Sequence, residues 1–235
     1  MVTWVFPAVS AAVSAAFATL VLIRYVKSKR THQLLWTLGL FGFTGAAAAQ
    51  VVYALSGAWP EGVYRGYYFL VGSLVATLGA GTVFLLNKPR LAQLFLYATI
   101  GLVGAQAAAC SFTAINTAKL AAAGMETGAG IASTPMIALT IVLNSMGTGA
   151  LAVGAGWSWW KTRRPHNLFI IAGTVLLAIG GGTARVATEG TVAAWALYIG
   201  NLAGITLLFA GFLLGRPAGE PAAHAQAAPA AAPPA

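Results

Sequence analysis

Polar and charged positions divide the chain into seven long apolar runs, at residues 3–25, 33–56, 66–87, 91–114, 134–160, 167–188 and 191–214. A bilayer core of about 30 Å is crossed by about 20 apolar residues in helical form. Every run is long enough, and each is closed by a charge, a Pro or a polar cluster. The pattern therefore predicts an all-α fold: a seven-transmembrane helix bundle within residues 1–214. Most links are short, which makes neighbouring helices antiparallel. A longer link, 115–133, carries Asn116, Lys119, Glu126 and several Gly. Residues 215–235 form an Ala/Pro-rich stretch with nothing to bury, expected to be a disordered cytoplasmic tail.

Composition supports lipid as the solvent. Apolar residues make up 59% of the 235 and charged residues 7%, against about 25% charged in soluble domains. Mean hydropathy is +0.80. The net charge of +9 sits in short clusters between apolar runs. That is a topology signal, and it implies no nucleic-acid partner. Ten of the thirteen cations (Arg24, Lys27, Lys29, Arg30, Lys88, Arg90, Lys161, Arg163, Arg164 and Arg216) fall on one side. Arg65, Lys119 and Arg185 fall on the other, with Glu61, Glu126 and Glu189. The expected orientation has the amino terminus outside and the carboxyl terminus cytoplasmic, in a bacterial inner membrane. No positive charge precedes the first run, so it reads as a retained helix and not a signal peptide.

The chain also repeats itself. KSKRTHQLL at 27–35 aligns with KTRRPHNLF at 161–169, an offset of 134 that places Lys27, Arg30 and His32 on Lys161, Arg164 and His166. YYFLVGSL at 67–74 aligns with WALYIGNL at 195–202 at an offset of 128. The expected plan is two parallel three-helix repeats, 3–87 and 134–214, joined by a linker helix at 91–114. Such repeats are related by an axis along the membrane normal and share a site near the midplane.

Amides inside apolar runs are costly unless they face the bundle interior. Asn144 and Asn201 each lie about ten residues into their helices, near mid-membrane at 1.5 Å per residue. Their repeat counterparts are Ser10 and Ser73. These four residues are either the hydrogen-bonding lining of a midplane pocket or interhelical glue. Gln50, Gln106 and Arg185 come nearer the outer surface, as a vestibule for a polar or anionic group or as interfacial anchors. His32 and His166 could ligate a haem axially, or stand in basic boxes that bind anionic lipid headgroups. Trp4, Trp59, Tyr64, Tyr67, Tyr68, Trp36, Trp157, Trp159 and Trp160 are expected in interfacial belts. Small-residue pairs such as Gly200/Gly204, Gly42/Ala46 and Ala150/Gly154 permit close helix packing, within the chain or in a homo-oligomer.

Several chemistries lack their residues. The chain has no Asp, no paired intramembrane carboxylates, no Gly-Lys phosphate loop and a single cysteine, Cys110. The last helix has no lysine for a retinal Schiff base. No enzyme activity, cofactor or metal is expected.

The three-plus-one-plus-three plan resembles that of the SWEET sugar transporters, including the polar pair Ser73/Asn201 where that family places a sugar-contacting Asn pair. The Pro-Gln signature and the prolines of helices 2 and 6 are missing here. HQLLW at 32–36, YRGYY at 64–68 and GAGTVFLL at 79–86 resemble a group of uncharacterised bacterial seven-helix membrane proteins, a resemblance that implies no activity. The expected function is binding, with translocation, of a small weakly charged solute between the repeats. The alternatives are a receptor-like or accessory subunit acting through a partner protein, and a haem-binding redox protein.

Overall fold

The structure is a computed structural model that describes residues 4–86, 88–124, 131–183 and 191–215. All regular structure among them is helical: α1 (Val5–Ser28), α2 (Thr31–Ser56), α3 (Glu61–Val83, continued by a 3-10 turn, Phe84–Leu86), α4 (Pro89–Phe112), α5 (Thr117–Ala121), α6 (Thr134–Thr162), α7 (His166–Thr183) and α8 (Val192–Leu214). Seven of these helices are long and apolar enough to cross a membrane, the architecture of a multi-pass membrane protein. A spanning helix satisfies its backbone groups internally, as hydrocarbon requires. Among the described residues, prolines sit at helix starts, where no intrahelical amide is lost: Pro7 lies in the first turn of α1, Pro89 and Pro135 open α4 and α6, and Pro60 and Pro165 precede α3 and α7. The proposed tail beyond residue 215 and Arg185 lie outside the described residues.

The described part of the long 115–133 link contains a short helix. Asn116 accepts a hydrogen bond from the Lys119 amide and caps the short helix α5. The stretch after α5 is tied to the far end of α2: the Tyr53 hydroxyl donates to the Ala123 carbonyl at 3.1 Å and the Trp59 indole to the Gly124 carbonyl at 3.0 Å.

Six helices close a ring. In spatial order α1, α2, α3, α6, α7 and α8 each pack on the next, and α8 returns to α1. Helix α4 stands outside, against α3 and α6. The seams differ in their chemistry. At α3–α6, a Cβ on Gly79 would lie 2.8 Å from the Gly147 Cα and carbonyl oxygen. At α7–α8, a Cβ on Gly173 would lie 2.7 Å from the Gly204 carbonyl. Gly42 rests on Leu74, Gly200 on Gly180, and Gly154 on Thr82, so the small residues singled out by spacing are used within the chain. At α1–α8 the packing is aromatic, with Phe17 stacked on Phe209 at 5.0 Å between centroids and Phe6 on Tyr198 at 6.1 Å.

The two basic-His boxes form corners of the same construction. Lys29 and Arg163, at equivalent positions, close α1 and α6 in the left-handed region with φ of 54° and 51°. Each donates its amide four residues back at 2.7 Å, to Tyr25 and to Trp159. Ser28 bonds Gln33 across the first corner, and Asn167 donates to Thr162 across the second at 3.2 Å. The His32 carbonyl abuts Gly81 on α3, and the His166 carbonyl abuts Gly211 on α8.

The belt expectation is corrected for Trp59, Tyr64 and Tyr67. They are 5%, 0% and 5% exposed: Trp59 stacks on Tyr53, meets Tyr64 edge-to-face and lies tilted against Tyr67. The strapped 115–124 link covers them, which a position near a helix end does not reveal. Trp4, Trp157 and Trp160 are exposed, as a belt requires.

Candidate functional site

The ring encloses a cavity of about 730 Å³ to which all six of its helices contribute. Small-molecule sites typically run from about 300 to 1,000 Å³, so it has room for a ligand. Four of the seven anticipated residues line it: Ser10 from α1, Gln50 from α2, Asn144 from α6 and Asn201 from α8. Asn144 lies ten residues past the start of its helix and Asn201 nine past its own, so each sits about 14–15 Å in at the helical rise. The Asn144 carbonyl oxygen is buried with no hydrogen-bond donor. Such an oxygen is costly in an apolar interior. The Asn201 oxygen rests against Gly180, where a Cβ would come within 3.0 Å of it.

Of the other three anticipated residues, Arg185 lies outside the described residues, and Ser73 and Gln106 stand elsewhere. Ser73 is buried but does not line the cavity; its hydroxyl donates to the Phe69 carbonyl of its own helix at 2.8 Å. Gln106 is fully buried in the seam of α3, α4 and α6, and is no vestibule residue. Its amide donates to the Thr140 hydroxyl at 3.0 Å, in space that Gly72 leaves open. Its carbonyl oxygen has no donor. Replacing Gln106 by Met removes that orphaned oxygen along with the hydrogen bond, so stability should stay within about 1 kcal/mol of the parent. Thermal denaturation in detergent measures this; a loss of about 3 kcal/mol would show instead that the oxygen is hydrogen-bonded to buried water.

Residues not anticipated complete the lining. Thr140 and Thr148 flank Asn144 on α6 at four-residue spacing, and Thr174 and Tyr198 come from α7 and α8. The spacing of Thr140, Asn144 and Thr148 puts them on one helix face, a signal present in the sequence. Threonine hydroxyls bonded to carbonyls four residues back, as Thr140 and Thr174 are, carry little polarity into a hydropathy scan. No acidic, basic or histidine side chain lines the cavity among the described residues.

Aromatic side chains cluster towards both ends of the bundle. At the basic end Phe17 packs on Phe209 and Phe212, Trp36 meets Phe212, and the Arg24 guanidinium lies 4.1 Å over the Phe212 ring. At the opposite end Tyr67 forms part of both the cavity wall and the buried cluster with Trp59. His32 packs edge-on against Trp36, and the His166 ring lies beside Gly215. Neither lines the cavity, and α2 and α7 stand across the ring from each other. Among the described residues no group of three or more His, Cys, Asp or Glu converges as metal ligands would. No protein-family model, curated protein or solved structure matches the chain.

Proposed function

We propose that this membrane protein binds a small uncharged solute inside the helix ring and passes it across the bilayer. The observation that carries the reading is the convergence of two mid-helix amides, Asn144 and Asn201, on one cavity whose described lining holds no charge. The described lining offers an anion or cation no counter-charge, a cost that a neutral solute avoids. The expectation of a weakly charged solute is sharpened accordingly. The twin corners and the repeat-related pairing of seams (α3 on α6, α1 on α8) support two three-helix units related by duplication. Translocation would be rocking of one unit against the other around the amides. We place the basic end in the cytoplasm. There Lys161 lies 4.8 Å over Trp157, and Arg163 lies 4.9 and 4.8 Å over Trp159 and Trp160. That array suits anionic headgroups.

Native mass spectrometry of gently extracted protein tests the binding step. Wild type should retain a small molecule. Asn144→Leu and Asn201→Leu should each lower occupancy about tenfold, the effect of one buried hydrogen bond of about 1.4 kcal/mol. Retention that is equal in both variants would overturn the assignment of the amides. An empty wild-type protein under every extraction condition would overturn the binding reading itself.

A further inference from the structure

We infer that the cavity is filled sideways from the bilayer, through a gap between α6 and α7, by a neutral membrane-dissolved molecule with a hydrogen-bonding head and an apolar body. This deepens the proposed function and rests on it.

The cavity wall is uneven. On α1 and α2 its residues are closed off from the exterior: Ser10, Phe43, Ala46, Ala47 and Gln50 are all buried. On α6 and α7 residues of the same wall are exposed: Ile141 and Ser145 on one helix, Ala178, Gly181 and Gly182 on the other. A side chain that both lines an interior space and meets the exterior marks an opening. Helix packing explains why it lies there. Glycine contacts draw α6 onto α3 and α7 onto α8, through Gly79/Gly147 and through Gly173/Gly204. The α6–α7 pair is joined at the Arg163 corner and is left with small residues facing the gap. An added Cβ on Gly181 or Gly182 would meet nothing within 4 Å. The related α1–α2 pair is held together by the Ser14–Thr44 hydrogen bond at 2.8 Å.

Depth decides what the opening faces. Ser145 is the neighbour of Asn144, about 15 Å along its helix, at the level of acyl chains and not of headgroups. Both ends of the bundle carry aromatic clusters, so the side is the less obstructed route. A molecule arriving there must already be dissolved in hydrocarbon. The described lining carries no charge, which suits a neutral group, and the amide residues Asn144 and Asn201 on the wall suit a hydroxyl or amide. The ligand class is therefore that of long-chain alcohols and similar uncharged amphiphiles.

A decanol analogue bearing a diazirine, added to full-length protein in liposomes, tests this. After irradiation, peptide mapping should place saturable label on cavity residues of α6, α7 and α8. Ser145→Phe and Ala178→Phe should cut it at least fivefold. Val175→Phe, on the exposed α7 surface away from the cavity lining, should leave it unchanged. Should a phenylalanine variant fold poorly, Ala178→Cys alkylated with a benzyl reagent after purification supplies the same block, since Cys110 is buried. Saturable cavity label that persists in both blocked variants overturns the side entrance while leaving the cavity a binding site. Absence of saturable label in wild type overturns this ligand class; the broader reading is then decided by the retained-molecule measurement above.

Discussion

Gly147→Val should cost about 2–3 kcal/mol or more and sharply reduce the yield of folded protein. The first atom of any side chain at 147 would fall on the Val75 carbonyl and the Ala76 amide of α3. These are backbone atoms inside a helix and cannot rotate away, so the helices must separate. Overpacking a close seam typically costs 1–3 kcal/mol, and close packing of small residues is a main source of helix association in lipid. Gly149→Val is the matched control. It makes the same change two residues along the same helix, where a Cβ meets nothing within 4 Å, so it should shift stability by no more than about 0.5 kcal/mol. Both variants share the helix-propensity effect, so the difference in their thermal denaturation isolates the α3–α6 seam. Equal melting of the two variants would mean that α6 does not pack on α3 at this point.

The second large effect is expected at Arg65, which the sequence placed among the few cations of the less basic side. Its guanidinium donates to the Cys110 and Thr113 carbonyls at 2.6 and 2.9 Å, and to Glu61 one turn earlier at 2.9 Å. A helix leaves its last four carbonyls without intrahelical partners, and Arg65 supplies donors to the end of α4. The Arg65 side chain is 22% exposed against 51% for Glu61. The ion pair itself therefore adds little, and the bonds to carbonyls dominate. Arg65→Met keeps the apolar stem and removes the donors, at about 2–3 kcal/mol for charge-assisted bonds. Hydrogen exchange at residues 113–116 should quicken by about tenfold or more. Arg65→Lys should recover part of the protection, because both carbonyls accept from the one nitrogen Nη1, and an ammonium keeps the charge and donors but on a shorter stem. Unchanged exchange in Arg65→Met would show that water serves those carbonyls equally well.

Length and hydropathy made the seven helices legible, since lipid imposes a run length that little else produces. Asn144 and Asn201 were legible for the same reason: an amide in hydrocarbon needs a purpose. Ser10 and Ser73 are the repeat counterparts of Asn144 and Asn201, yet only Ser10 of the two lines the cavity. Rotation of each helix about its axis decides the difference, and a near-uniformly apolar helix hides its phase. Gln106 shows the same limit. Its place towards the outer surface suggested a vestibule or an anchor, whereas it is buried in the seam of an outlying helix. The burial of Trp59 and Tyr64 depends on a link strapped over them, a tertiary event that position near a membrane face cannot foretell. The alignment of the two basic-His boxes, in contrast, matched two corners of one construction.

Those corners have a consequence for how the chain is free to vary. Lys29 and Arg163 hold a left-handed backbone that glycine would take without strain. A glycine at either turn would make the local fold easier and would also erase one of the few cations beside the lipid. Insertion of a nascent polytopic chain is biased by such cations. Both bends thus hold a cation where glycine would turn more easily, and each cation lies over a neighbouring ring, Lys29 over Tyr25 and Arg163 over Trp159 and Trp160.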